Sequence, residues 1–179
     1  MRAVLDACVL YPTLLRQVLL AIASEGLFDP IWSVRIIEEW RRAVIRHHPD
    51  QAGIFAAEAV RLADRFPAAS FDVTEEDEAA LFLPDRNDRH VLATALAANT
   101  PTIITLNLKD FPSRALSEQG VRAKHPDLVL LELLGDHPSV VRTAIKPPVE
   151  AAMAATGLGR RAVLKKARLP RFAKALDQS

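Results

Sequence analysis

The segment PDRNDRHVLATALAANTPTIITLNLKDFP, residues 84–112, decides the fold because it combines a helix, a strand and several acids in one short unit. Asp85 and Asp88 stand at the start of an Ala/Leu/Val-rich stretch that predicts a helix over 88–98. Asp110 follows a β-branched run that predicts a strand over 102–106. If the helix start and the strand end face one crevice, these carboxylates converge.

The composition is that of an ordinary folded domain. The chain has 179 residues, of which 50% are apolar and 25% charged, with a net charge of +1, so it can bury a core and is not disordered throughout. The single cysteine, Cys8, excludes an intrachain disulfide and favours a reducing compartment, so we expect a cytoplasmic protein. The apolar N-terminal stretch is interrupted by Asp6, Pro12 and Arg16. Because of these interruptions, we predict neither a signal peptide nor a membrane span there.

Strands alternate with helices over the first 125 residues. We predict strands at 2–5, 71–73, 102–106 and 121–123, and helices at 14–25, 33–47, 50–65, 74–83, 88–98 and 113–119. This alternation predicts an α/β fold with a central parallel sheet covered on both faces. Ligands of such sheets bind outside the carboxyl ends of the strands, which is where Asp6 and Asp110 stand.

The last part of the chain is purely helical in pattern. We predict helices at 127–134, 138–145, 149–155 and 160–176, with breaks at Pro147, Pro148, Gly157 and Gly159 and an interruption of the last helix at Pro170. The expected organisation is therefore one α/β domain over 1–125 and a helical C-terminal extension over 126–179.

Carboxylates from separate segments repel one another unless a cation joins them, so a converged acidic cluster implies a metal. Oxygen ligands without a His or Cys set favour Mg²⁺ or Mn²⁺ over zinc, and two such ions can support phosphodiester hydrolysis by water. Each acid also has an ordinary explanation. Asp6 and Asp85 fit helix caps, Asp88 fits a first-turn position beside the helix dipole, and Asp110 fits a turn.

Helix geometry separates two neighbouring glutamates. Glu39 lies at the edge of the apolar stripe that contains Trp40, and it is the candidate ligand. Glu38 falls on the far side, where Arg41 and Arg42 are in range for ion pairs, so we predict a solvated surface residue.

Other polar residues stand near the predicted acids. Thr105 and Asn107 lie at the same strand end as Asp110 and are candidates for orienting a carboxylate or a scissile phosphate. Arg86 and Arg89 are candidates for holding phosphates, with ordinary surface charge as the alternative. The histidines show no metal-ligand spacing, and we assign none of them to a metal.

A strand ending in Asp6, a helix carrying Glu39, the segment DRNDRHVLATAL and then IITLNLKDF occur in the order found in the PIN-domain family, which the chain resembles over about residues 1–125. That family includes the VapC-like toxins of bacterial toxin–antitoxin pairs, which are metal-dependent ribonucleases with a small α/β/α fold. The resemblance implies a PIN-like three-layer fold with a helical extension. It also implies that Asp6, Glu39, Asp88 and Asp110 are catalytic and bind Mg²⁺ or Mn²⁺, with Asp85 beside the site.

The resemblance implies a metal-dependent endoribonuclease that acts on RNA, restrained as a toxin by an antitoxin, and assembled as a homodimer. The alternative is a non-catalytic RNA-binding or protein-interaction module with the same fold. An aspartyl-phosphate enzyme is disfavoured because the usual pattern needs a second Asp two residues after Asp6, where this chain has Cys8.

The extension carries a basic tail, GRRAVLKKARLPRFAKAL, over 159–176. Six of its cations are candidates for contacting RNA phosphates, namely Arg160, Arg161, Lys165, Lys166, Arg168 and Arg171. The alternatives are a solvated helix face or a surface for an acidic partner. Apolar residues in the same stretch also allow it to dock on the α/β domain or on an antitoxin.

Overall fold

Five parallel strands form one sheet in the computed structural model, which describes residues 1–178. The strands are β1 (Arg2–Leu5), β2 (Asp29–Ser33), β3 (Ser70–Phe71), β4 (Thr102–Ile104) and β5 (Arg122–Lys124). Their order is β3-β2-β1-β4-β5, and Val4 of the central strand pairs with Ile31 on one side and Ile103 on the other. The predicted α/β fold with a parallel sheet is confirmed.

Helices connect the strands and continue beyond the last one. They are α1 (Ala7–Leu10), α2 (Thr13–Ser24), α3 (Val34–His47), α4 (Ala52–Arg65), α5 (Glu75–Ala79), α6 (Arg89–Ala97), α7 (Ser113–Ser117), α8 (Pro126–Asp136), α9 (Pro138–Thr156), α10 (Arg160–Lys166) and α11 (Pro170–Asp177). Short 3₁₀ turns at Pro49–Gln51, Arg86–Asp88 and Leu108–Asp110 complete the description.

Both faces of the sheet are covered. Ala3, Val4 and Leu5 follow one another in β1, and all three are fully buried. Successive side chains of a strand point to opposite faces, so a run of buried residues requires a layer on each side. This is the burial pattern of a central strand in a three-layer fold.

Local chemistry explains several helix ends. The Ser33 hydroxyl accepts a hydrogen bond from the backbone N–H of Ile36 at 3.4 Å, which confirms Ser33 as the cap of α3. Gly26 follows α2 with a φ of +74°, a left-handed conformation that a glycine adopts at little cost.

The predicted break at Pro147 and Pro148 is wrong, because α9 runs through both prolines from Pro138 to Thr156. The two rings remove backbone donors from the helix interior. Ala144, Ile145 and Val149 flank the prolines and are buried, and α9 packs against α2. We infer that this packing compensates for the lost hydrogen bonds.

The C-terminal helices pack on the rest of the chain through apolar side chains. Leu164, Leu169 and Phe172 are fully buried and belong to the same core cluster as the sheet residues. Asp127 of α8 is 3% exposed, and its carboxylate accepts the backbone N–H groups of Arg171 at 3.0 Å and Phe172 at 2.8 Å. The start of α11 is therefore tied to α8.

None of the helices found within residues 1–178 has both the length and the apolar character needed to cross a lipid bilayer.

Candidate active site

The strand order places a crevice at the carboxyl ends of β1 and β4. The chain builds the sheet outward from β1 through β2 to β3 and then returns to place β4 on the other side of β1. Ligand sites of open parallel sheets lie at such a reversal point. Asp6 directly follows β1, and Thr105 directly follows β4, so both stand at this point.

Asp6 occupies the N-cap position of α1 but its side chain makes no capping hydrogen bond. Its Oδ2 instead accepts the Thr105 hydroxyl at 2.6 Å and the Cys8 thiol at 3.1 Å. Thr105 is fully buried, and Asp6 is 6% exposed. The carboxylate is thus held by side chains beneath the crevice rather than used to close a helix end.

Asp88 shows that the predicted acids share one electrostatic environment. It stands at the N-cap position of α6, again without a capping hydrogen bond from its side chain. Burial and, after it, the negative charges of Asp6, Asp85, Asp110 and Glu39 together raise its pKa to about 6. The other four predicted acids therefore all act on the Asp88 carboxyl group.

Glu39 reaches the acids from α3, and a buried histidine stands behind it. The Nε2 atom of His90 lies 3.3 Å from Oε2 of Glu39. That contact is close enough for a charge interaction but not aligned as a hydrogen bond, and within residues 1–178 Nε2 has no hydrogen-bond partner. The other ring nitrogen, Nδ1, donates to the Asn87 carbonyl at 2.6 Å. His90 is fully buried, so its ring position is fixed.

The remaining acids differ in their hydrogen-bond partners. Asp110 accepts a hydrogen bond from the Asn107 side-chain amide. Asp85 caps the 3₁₀ turn before α6 by accepting the Asn87 N–H at 2.9 Å, which is the structural role considered for it. Glu38 pairs with Arg41 and Arg42, and these hydrogen bonds lower its pKa to about 2, so its predicted surface position is confirmed.

A cleft of about 610 Å³ opens onto three of the predicted acids. Asp6, Glu39, Asp88 and Asn107 line it, together with Arg168 from the turn between α10 and α11, whereas Asp85 and Asp110 are not among its lining residues. Larger cavities of about 640, 730 and 840 Å³ lie elsewhere, and none of the predicted acids lines them. The chemistry of the lining, rather than volume, identifies the candidate site.

The predicted cationic residues differ in their position and contacts. Arg86 is exposed in the 3₁₀ turn before α6, and Arg89 begins α6. In the tail, Arg160 pairs with Asp177 and lines a groove with Arg161, whereas Lys165, Lys166 and Arg171 are exposed.

The donor set fits a hard divalent cation in its chemistry. Carboxylates from Asp6, Glu39 and Asp88, with the Asn107 amide nearby, are all oxygen donors, and burial together with the neighbouring negative charges raises the pKa of Asp88. Within residues 1–178, no three acidic, His or Cys side chains are grouped closely enough to form a ready-made metal site.

Sequence reasoning gave two residues around the cleft no role in the site and did not single out a third. The Cys8 thiol contacts both Asp6 and Thr105. His90 was left without a role, although its position two residues after Asp88 on an inward helix face was a usable signal. Arg168 was one cation among several in the tail, and no local pattern distinguishes it.

Two comparisons relate this chain to known proteins. A protein-family model described as "PIN domain" matches residues 2–109. A Mycobacterium tuberculosis protein named "Putative ribonuclease VapC50" is 41% identical over 64 residues, which are 36% of this chain and 38% of that protein. The match thus spans well under half of the relative. No solved structure gives a significant match.

Proposed function

The chain belongs to the PIN domain family, and on this premise we propose that it is a metal-dependent endoribonuclease that hydrolyses RNA phosphodiester bonds. One observation carries the proposal. Burial and the charges of four other carboxylates, three of them from distant parts of the chain, raise the pKa of a fifth, Asp88, at the sheet reversal point. Such an arrangement of like charges does not stabilise the fold. It does favour the binding of a cation and, with the cation, of a phosphate.

In this proposal the side chains have distinct tasks. Asp6, Glu39, Asp88 and Asp110 are the ligands, and Asp6 is oriented for that task by the Thr105 hydroxyl. When bound, Mg²⁺ or Mn²⁺ supplies the counter-charge and an activated water for attack on the phosphorus. Asn107 lines the cleft and can orient either Asp110 or a phosphate oxygen.

His90 supports Glu39 from the core. Because Nδ1 donates to a backbone carbonyl, the ring cannot rotate without losing that hydrogen bond, and Nε2 remains directed at the Glu39 carboxylate. Nε2 can hold the Glu39 carboxylate only when the ring carries a proton on both nitrogens, and in that form α6 helps to set the position of the proposed ligand on α3.

The proposal extends to partners and organisation. We assign the nuclease unit to residues 1–125 and the helical extension to 126–179. Single-stranded or looped RNA is the proposed substrate, and we further propose a toxin restrained by an antitoxin and assembled as a homodimer. The name of the M. tuberculosis relative supports the toxin context.

The test is cleavage of single-stranded RNA with Mg²⁺ or Mn²⁺ by the purified protein. We expect Asp6→Asn, Glu39→Gln and Asp88→Asn each to lose about 100-fold or more in rate. Asp64→Asn removes an exposed acid of α4 far from the crevice in sequence and is the matched control. Circular dichroism verifies that each variant is folded.

Full metal-dependent cleavage by both Asp6→Asn and Asp88→Asn would contradict the assignment of these ligands. A wild-type protein that binds RNA and never cleaves it would instead support the non-catalytic module.

A further inference from the structure

We propose that Arg168 forms a phosphate-binding subsite at the rim of the acidic cleft, so that the C-terminal helices complete the RNA site. The inference rests on the function proposed above, and it adds a residue from outside the segment matched by the family. The cleft joins Arg168 to Asp6, Glu39 and Asp88.

The backbone at Arg168 has an uncommon conformation. Its φ is +62°, in the left-handed region, where glycine is the usual residue after a helix. The turn is a Schellman motif, since the N–H of Arg168 donates to the Lys165 carbonyl at 3.0 Å and the N–H of Leu169 donates to the Leu164 carbonyl at 2.9 Å. Arginine therefore occupies a position at which glycine would make the local backbone more stable.

The turn is held firmly against the core. Leu164 and Leu169, which flank it, are fully buried, as Schellman turns favour. Just beyond it, the Asp127 carboxylate accepts the N–H groups of Arg171 and Phe172. The position of Arg168 beside the cleft is thus fixed by packing and hydrogen bonds on both sides of the turn.

The Arg168 side chain is available to a ligand. It is exposed, and within residues 1–178 it forms no salt bridge. Other arginines of the chain are paired, as Arg16 is with Glu58 and Arg160 with Asp177. An unpaired guanidinium beside a carboxylate-lined cleft suits a phosphate that the carboxylates themselves would repel.

Two aromatic rings in the lining of the cleft favour a nucleotide over an isolated phosphate. Tyr11 and His47 line the cleft with their rings in an edge contact, 5.9 Å between centroids. Aromatic rings of this kind stack on unpaired bases without regard to sequence. Acids for the reacting phosphate, rings for a base and a guanidinium for a second phosphate together fit a single RNA strand.

The test is RNA binding by the full chain carrying Asp88→Asn, which keeps the strand uncut. A fluorescent single-stranded RNA of about 12 nucleotides is titrated at several salt concentrations. Arg168→Gly is expected to weaken binding about three- to tenfold and to reduce the slope of log K against log salt by about 0.7, the loss of one phosphate contact. Arg168→Lys should retain most of the affinity.

The design separates the binding role from a structural one. Glycine suits the left-handed turn, so Arg168→Gly should melt at the same or a higher temperature than its parent. Arg122→Gln is the control for loss of one charge, because Arg122 is exposed and lies far from the acids. Its backbone is in register with Thr102 at the amino end of β4, the end of the sheet opposite the acids. Arg122→Gln should bind RNA like its parent.

Equal binding by Arg168→Gly and the parent would overturn the subsite. Equal weakening by Arg168→Gly and Arg122→Gln would also overturn it, since a diffuse positive field would then account for binding. If the wild-type chain neither binds nor cuts RNA, the proposed function itself fails. If the wild-type chain cuts RNA but Arg168→Gly binds RNA as its parent does, only the subsite is overturned and the proposed function stands.

Discussion

Replacing Asp88 by Asn is expected to stabilise the metal-free protein at neutral pH while removing RNA cleavage. The pKa of Asp88 is about 6 in the folded chain, against an ordinary value of 3.8. Between these values the folded state holds a proton that the unfolded state has released, so stability falls as the pH rises through this window. Asparagine carries no charge and removes this dependence.

The magnitude follows from competing contributions. A pKa difference of about 2 corresponds to roughly 3 kcal/mol, and partial solvation of the carboxyl reduces this to about 1–2 kcal/mol. The negative charge at the start of α6 interacts favourably with the helix dipole by about 0.3–1 kcal/mol, and the variant loses this stabilisation. No side-chain capping bond is lost, because Asp88 makes none. The net gain is about 1 kcal/mol, or roughly 2–4 °C in Tm.

Thermal unfolding in EDTA across the acid range measures this effect. The gain of Asp88→Asn over wild type should be full above about pH 7 and should shrink toward zero near pH 4. Adding Mn²⁺ should stabilise the wild type more than the variant. Asp64→Asn should show neither effect.

A gain that is independent of pH would refute the reasoning, since it would come from better capping by asparagine. No gain at neutral pH would show that the acids do not repel one another enough to destabilise the fold.

Two further predictions concern buried groups near the site and in the extension. Burial and the Asp6 charge raise the pKa of the Cys8 thiol to about 12, so the native protein at about pH 8 should react with iodoacetamide far more slowly than the unfolded protein, as followed by mass spectrometry. Asp127→Ala should cost about 2–4 kcal/mol in denaturant unfolding, because two backbone N–H groups at the start of α11 lose a charged acceptor, and Asp127→Asn should cost less.

The sequence predicted the parts of the site that depend on local pattern. The strand ending at Asp6 and the helix carrying Glu39 were predictable because burial periodicity and an N-cap serine are local signals. The same geometry placed Glu38 with Arg41 and Arg42, and these contacts are present. The distance between Glu39 and His90, by contrast, depends on how α3 packs near α6, which no local pattern encodes.

The two prolines of α9 show the opposite case, in which a strong local signal gave the wrong answer. Each proline disfavours the interior of a helix by about 3 kcal/mol, so the pair costs about 6 kcal/mol and predicts a break at Pro147 and Pro148. Burial of Ile145 and Val149 against the core offsets about 3–6 kcal/mol of this cost, since each buried aliphatic side chain contributes about 1.5–3 kcal/mol. Tertiary packing therefore overrides a local preference of comparable size.

Three of the predicted acids are distinguished by what their side chains do at helix starts. Asp6, Asp85 and Asp88 all stand at N-cap positions, so each had a structural explanation of equal merit. Only Asp85 makes the capping hydrogen bond. Asp6 and Asp88 forgo a stabilising contact available at their positions and line a cleft with Glu39 instead. A chain selected for stability alone would use all three as caps, so the two acids that do not cap are the ones whose removal should abolish the proposed reaction, and removal of Asp88 should also stabilise the fold.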